Sequence, residues 1–384
     1  MRDNGGNRLD GAETVGHVLH RYLNRSETFI YTTLRFQTAF RPAVLVRFTD
    51  HLDEFPIDNL HELKADRRLR RRIARKLAVR TRGYSRDGYD YELGRAARAA
   101  RCVALHAHFG PTGSRSLHAA SRLGLPLITT FYGRDISDSF GCSYEELFRD
   151  GDLFVCEGPA MKKSLNDVGC PAERIRVVRI GIDLALFEYL VPTRSSPFVV
   201  LQAARFVEKK GIDLSIRAFA AALPSLQPAE LWLLGDGELK PELEALAAEL
   251  GVSESVRFLG MLSHGEYQTV IRSAHVAIQP SRTAADGDTE GGAPTVLLEM
   301  QASGIPIVAT AHADIPFVVS CAERLAEEED VKGLAEALVE IASISDDEYR
   351  GRAEQARTFV EESHDARITA KAIAAAYREV IRAR

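Results

Sequence analysis

No stretch of this 384-residue sequence approaches the ~20 uninterrupted apolar residues that a membrane-spanning helix needs, and the N-terminal MRDNGGNRLDGAE lacks the apolar core of a secretion signal. A cytoplasmic location is expected. Cysteine is sparse: Cys102, Cys142, Cys156, Cys170 and Cys321 are scattered, odd in number and without the close pairs of zinc or redox sites. They read as reduced packing residues. No period of about 20–50 residues recurs, which excludes solenoids and propellers, and low-complexity sequence is absent. The net charge of −5 lacks the positive footprint of a general nucleic-acid binder.

What is present is an ordinary folded composition, with 45% hydrophobic and 27% charged residues, in a chain long enough for two domains of about 100–200 residues each. Short apolar runs alternate with helical patterns, which predicts βαβ units and parallel sheets. In the first half the predicted strands are VGHVLHRY, AVLVRF, CVALHAHF, PLITTFY, LFVCEG and IRVVRI; in the second they are FVVLQAAR, ELWLLGDG, VRFLGML, HVAIQPS and IPIVAT. The segment VPTRSSPF at 191–198 has two prolines, two serines and no apolar period, so it reads as a linker. Domains over 1–192 and 193–360 follow, with a terminal helix over 361–384 that returns to the first domain.

The strongest local signal is AADGDTEGGAPTVLLEMQASGIPIVAT at 284–310. Gly291 and Gly292 allow close backbone approach to a ligand, and Pro294 suits a helix start, where Thr295 and Val296 can donate their amides to a diphosphate. Glu290 precedes the turn and Glu299 lies in the helix, so one carboxylate can face a reacting sugar and the other a ribose diol. In AARFVEKKGID, Arg205 and Lys210 are placed to neutralise two phosphates, with Lys209 a weaker candidate. Gly235 and Gly237 in LLGDGEL lack the third glycine of a dinucleotide fingerprint and imply only a tight turn beside a ligand.

In the first half, His106 and His108 stand two apart at a strand end and share one face. A metal would need further ligands that the sequence does not identify, so the pair reads as lining a site or as a satisfied core pair. FYGRDIS puts Tyr132, Arg134 and Asp135 around Gly133, at the strand ends where open α/β sheets bind ligands. From Lys64 to Arg86 there are eleven Lys or Arg and a single acid, Asp66. Within 65–82, Leu69, Ile73 and Leu77 make an apolar stripe, which suits either an anionic membrane surface or a helix packed on its own domain.

With those residues in hand, the chain resembles the retaining glycosyltransferases of family 4, which implies an α/β GT-B fold of two Rossmann-like domains facing a cleft. The resemblance rests on ARFVEKKG, GDGEL, VRFLG, EGGAPTVLLEMQASGIPIVAT and RIRVVRIGIDLALF. It implies that Arg205 and Lys210 bind the diphosphate, that Glu299 binds ribose and that Glu290 lies beside the donor sugar. The backbone around Leu259–Leu262, Met261 included, would hold the base. RYLNRSETFIY looks like the family's acceptor loop, which points to Ser26, Glu27 and Thr28, with His108 nearby. Two departures stand out: Glu290 and Glu299 enclose eight residues where the family has seven, and Tyr132 occupies the place of the family's His.

The resemblance implies transfer from a UDP-sugar or GDP-mannose type donor to a saccharide or polyprenyl-linked acceptor in cell-surface polysaccharide synthesis, with no metal, no cofactor and no nucleic acid. Residues 65–82 would rest on the inner membrane face. Two alternatives stay open: a nucleotide-sugar epimerase of the same fold, and a nucleotide-sugar-binding protein without catalysis.

Overall fold

The computed structural model describes residues 11–24, 27–64, 85, 87–136, 143–191, 196–321 and 324–383. Ser26, Cys142, the basic stretch 65–82 and residues 192–195 of the expected linker lie outside them. The first sheet contains β1 (Thr14–Tyr22), β2 (Arg41–Thr49), β3 (Leu60–Glu62), β4 (Cys102–His108), β5 (Leu127–Thr130), β6 (Leu153–Cys156) and β7 (Ile175–Val177), in the order β3-β2-β1-β4-β5-β6-β7. The second contains β8 (Phe198–Ala203), β9 (Ala229–Leu234), β10 (Val256–Gly260), β11 (Val276–Gln279) and β12 (Ile307–Ala309), in the order β10-β9-β8-β11-β12. Every pairing is parallel. This is the GT-B fold that the sequence led us to expect.

Each predicted run became a strand, because strands covered by helices on both faces read as continuous apolar segments. The exception is β3, whose three residues LHE carry one apolar side chain and pair only with β2 at the sheet edge. In both sheets the strand order reverses once, between β1 and β4 and between β8 and β11, and such a switch point is where an open α/β sheet forms a ligand crevice.

The helices in chain order are α1 (Thr28–Arg35), α2 (Tyr89–Ala99), α3 (Gly110–Leu123), α4 (Glu145–Asp150), α5 (Pro159–Asp167), α6 (Ile212–Leu226), α7 (Lys240–Glu249), α8 (His264–Ser273), α9 (Val296–Ala302), α10 (Val331–Ser343), α11 (Asp346–Ser363) and α12 (Ala366–Arg382). The Asp365 side chain accepts from the Arg367 N–H at 2.7 Å and so starts α12 anew after α11. Helical spacing puts Ile373, Tyr377 and Val380 on one face of α12, and that face packs on Val15, Ala104 and Ile128 of the first sheet. The last helix therefore covers the first sheet rather than the second.

Candidate active site

The site is built where β8 ends. Arg205 leaves the strand exposed, and among the described residues its guanidinium has neither an ion pair nor a hydrogen bond. The turn after β9 presses on this strand end: Gly235 has φ +131°, and a Cβ there would stand 1.9 Å from the Ala204 carbonyl oxygen. Only glycine lets the two backbones meet, and the Phe206 N–H then donates to the Asp236 carbonyl at 2.9 Å. Gly235 and Gly237 thus shape the loop that presents Arg205.

One helical turn further on, the two lysines part. Lys209 is buried and donates to Asp288 Oδ1 at 3.1 Å and to the Thr289 carbonyl at 2.7 Å, so it holds the acidic loop. Lys210 donates to both oxygens of Glu290, at 2.8 and 2.7 Å. Burial alone would raise the Glu290 pKa, but Lys210, a 2.7 Å hydrogen bond from the Ser281 hydroxyl and the nearby Lys209 together hold it below the ordinary range. Glu290 is therefore a fixed carboxylate paired with a cation.

Its backbone is fixed as well. The Glu290 N–H donates to His312 Nε2 at 3.1 Å, so the His312 proton sits on Nδ1 and is given to Glu328 Oε1 at 2.7 Å. Sequence reasoning missed His312 and Glu328, which lie after β12 and outside the motif they support.

Beyond Gly291 and Gly292 the chain enters α9, whose first backbone bond is donated by Leu297 to Pro294. The Thr295 and Val296 amides precede that bond. Three residues along α9, Glu299 is half-buried and accepts a short hydrogen bond from the hydroxyl of Tyr267 on α8. Burial raises the Glu299 pKa and the Tyr267 bond opposes the rise. Tyr267 was also missed; its helical spacing marks it as a core residue, and nothing in its neighbours points to Glu299. The Met261 side chain is 67% exposed beyond β10, so only the backbone beside it, where the Gly260 carbonyl accepts from the Gly235 N–H at 3.0 Å, is structurally fixed.

The first sheet meets this loop across the cleft. A Cβ on Gly291 would lie 2.0 Å from the Gly133 carbonyl oxygen, and one on Gly292 would lie 2.0 Å from Glu157 Oε2. The Asp314 carboxylate, on the second lobe, accepts from the Ala160 and Met161 N–H groups at 2.7 and 3.3 Å and caps α5 of the first. Tyr132 does not turn its hydroxyl toward the donor loop; that oxygen lies 2.8 Å from His108 Nδ1, and the ring packs on Phe29 and Phe109 with centroids 4.9 Å away in both cases. His108 is fully buried behind Tyr132, away from any surface where an acceptor could rest. Glu27 is half-buried and accepts from Asn24 at 2.8 Å, Thr28 opens α1, and Ser26 lies outside the described residues.

Asp135 ties the turn down by accepting from the Gly110 and Tyr132 N–H groups at 2.9 and 3.1 Å, yet burial raises its pKa to about 7. The folded protein keeps this proton to about pH 7, whereas the unfolded chain releases it near the ordinary value of 3.8. Stability therefore falls as pH rises through that window. Relative to wild type, Asp135→Asn should gain stability with pH by about 1.4 kcal/mol per unit across that window. Denaturant titrations at several pH values would measure this, and parallel curves would remove the assignment.

Residues 191–359 match the family model described as "Glycosyl transferases group 1", and residues 9–186 match the one described as "Glycosyltransferase Family 4". The putative colanic acid biosynthesis glycosyltransferase WcaL of Escherichia coli (strain K12) is 32% identical over 71% of this chain and 69% of its own length. The amylovoran biosynthesis glycosyltransferase AmsK of Erwinia amylovora is 31% identical over 61% of this chain and 60% of its own. Among solved structures, Anabaena Alr3699/HepE in complex with UDP and glucose aligns with a TM-score of 0.74 at 16% identity, covering 97% of this chain and 100% of that one. Sucrose-phosphate synthase from Thermosynechococcus elongatus aligns with a TM-score of 0.74 at 17% identity, again over 97% of this chain and 100% of its own. Likeness at that identity is one of fold.

Proposed function

This chain belongs to the bacterial family 4 glycosyltransferases of GT-B fold, and on that premise we propose that it transfers a sugar from a nucleotide diphosphate donor to a saccharide or polyprenyl-linked saccharide acceptor in cell-surface polysaccharide synthesis. The observation that carries the reading is the pairing of Lys210 with the buried Glu290, on the loop that Arg205 opens, at the switch point between β8 and β11. Two cations there can take the charge of a departing diphosphate without a metal, and Glu290 can take hydroxyls of the donor sugar. Glu299, with one oxygen held by Tyr267, offers the other to a ribose diol.

In the retaining course that the resemblance implies, the bond from the anomeric carbon to the diphosphate breaks while the acceptor oxygen bonds on the same face. The acceptor proton goes to the departing phosphate oxygen. The protein supplies orientation and charge stabilisation. The names of the colanic acid and amylovoran relatives support the polysaccharide setting, and the UDP complex of HepE makes uridine the first base to test. No helix among the described residues is long and apolar enough to cross a membrane. The basic stretch 65–82 is proposed, on its sequence alone, to contact an anionic membrane.

The test is a panel of UDP- and GDP-linked sugars, read by thermal shift and by release of nucleoside diphosphate, with and without chelator. One donor should stabilise the fold and be consumed in chelator; a panel without any shift would sink the donor site as drawn. Glu299→Ala should weaken binding of that donor roughly 10- to 100-fold, the scale of a lost charged hydrogen bond. Unchanged affinity would separate Glu299 from ribose.

A further inference from the structure

Three buried histidines stand behind the cleft turn, and the chemistry above uses none of them. His17 on β1 faces His106 on β4 in direct register, and His108 follows two residues later on the same face. All three are at most 1% exposed, yet every ring nitrogen has a protein partner. The Tyr132 hydroxyl lies 2.8 Å from His108 Nδ1, and His108 Nε2 lies 3.0 Å from His17 Nδ1. His17 Nε2 lies 3.5 Å from the hydroxyl of Tyr377 on α12, which is 2.7 Å from His106 Nδ1. His106 Nε2 lies 2.6 Å from Thr130 Oγ1. The path runs unbroken from Tyr132 to Thr130.

A neutral imidazole donates through one nitrogen and accepts through the other. Burial lowers the His106 pKa to about 3 and holds those of His17 and His108 well below the ordinary value, so all three are neutral at physiological pH. If His108 donates from Nε2, His17 accepts at Nδ1 and must donate from Nε2 to Tyr377. The Tyr377 proton then goes to His106 Nδ1, and His106 donates from Nε2 to Thr130. The reverse sense needs a proton on all three Nδ1 atoms, so mixed tautomers would break a bond somewhere on the path.

We propose that this path is a positioning device for Tyr132, which locks His17, His106 and His108 in one shared tautomer and makes Tyr377, on the terminal helix, a determinant of cleft geometry. Tyr132 leads directly into Gly133, the residue whose backbone abuts Glu290 and Gly291 across the cleft. With its hydroxyl anchored and its ring held by Phe29 and Phe109, the turn has little freedom to slide. The same three side chains could reach one metal ion, since their ligand atoms lie within 4.8 Å of one another, but an ion would have to displace bonds that are already made.

The test uses the full chain and has a spectroscopic arm independent of turnover. Long-range 15N–1H correlation spectra should show three neutral imidazoles in one shared tautomer, unchanged between about pH 5.5 and 8. The Tyr377→Phe variant should shift the His108 resonances, although residue 377 reaches His108 through His17 and His106. Mixed tautomers, a ring titrating in that window, or one equivalent of metal in the purified protein that is lost on His17→Gln would each overturn the proposal. The kinetic arm rests on the glycosyltransferase reading: Tyr377→Phe should lower kcat about 5- to 20-fold with donor KM unchanged, and the Tyr132→Phe, Tyr377→Phe double variant should be no slower than Tyr132→Phe alone. An unaltered kcat, or losses that multiply, would overturn it. A wild-type protein that consumes no donor would instead sink the glycosyltransferase reading, and the spectra would still decide the path.

Discussion

Lys210→Ala is expected to lower kcat about 10²- to 10³-fold, the usual cost of deleting one preorganised group that stabilises charge in the transition state. Two effects combine. The diphosphate loses one of two cations, and among the described residues the buried Glu290 keeps the Ser281 hydroxyl as the one hydrogen-bond donor to its carboxylate. Burial then dominates that carboxyl and its pKa rises, so the acid limb of the pH–rate profile should move to higher pH as well. Because breaking a buried pair costs about 3–5 kcal/mol, the comparison belongs at a temperature where the variant is folded. Lys209→Ala gives the contrast: its ammonium holds Asp288 and the Thr289 carbonyl, and its loss should lower stability more than turnover. Near-wild-type kcat and an unmoved acid limb for Lys210→Ala would take the clamp out of the mechanism.

The two lysines also mark where sequence reading stops. Charge and glycine spacing identify the loop after β8 as a site, but which ammonium meets Glu290 depends on how a single 3-10 turn rotates before Gly211, and residue pattern does not encode that rotation. The sheets were legible for the opposite reason. Segments such as AVLVRF and FVVLQA must be apolar on both faces wherever helices cover both sides, and that demand is written in consecutive residues. Gly235, Gly291, Glu290 and Glu299 were legible because their types are unusual at strand and helix ends. Their supports were not: His312, Glu328, Tyr267 and Asp314 act through contacts between distant segments, and each looks ordinary in its own neighbourhood.

The histidines fall between these cases. The two-residue period placed His106 and His108 on one face of β4, but the register that brings His17 beside them is a property of the β1–β4 pairing. Likewise, helical spacing placed Tyr377 on the buried face of the terminal helix, while its partner His106 lies 271 residues away in the chain. The place of Tyr132 in the turn marks it as lining a ligand site; the direction of its hydroxyl, back toward His108, follows from that remote assembly.

Gly291→Ala should lower kcat by about 10²-fold or more while leaving donor binding largely intact, since Arg205 and Glu299 belong to the second lobe and need no cross-cleft contact. Gly291 has φ +69°, which costs an alanine about 1–2 kcal/mol. Its new Cβ would also stand 2.0 Å from the Gly133 carbonyl oxygen and 2.6 Å from the Gly133 Cα. Both obstacles are backbone, so no side-chain rotation relieves them, and the donor loop must move away from the turn that Tyr132 and Asp135 anchor. Gly287→Ala separates the two costs. Gly287 has φ +80° in the same loop, but a Cβ there meets nothing within 4 Å, so that variant incurs the conformational strain without the collision. If Gly287→Ala turns over normally while Gly291→Ala does not, the loss belongs to the contact between the lobes. Equal losses in the two variants would assign it to backbone strain in the acidic loop, and the approach of Gly291 to Gly133 would have no part in catalysis.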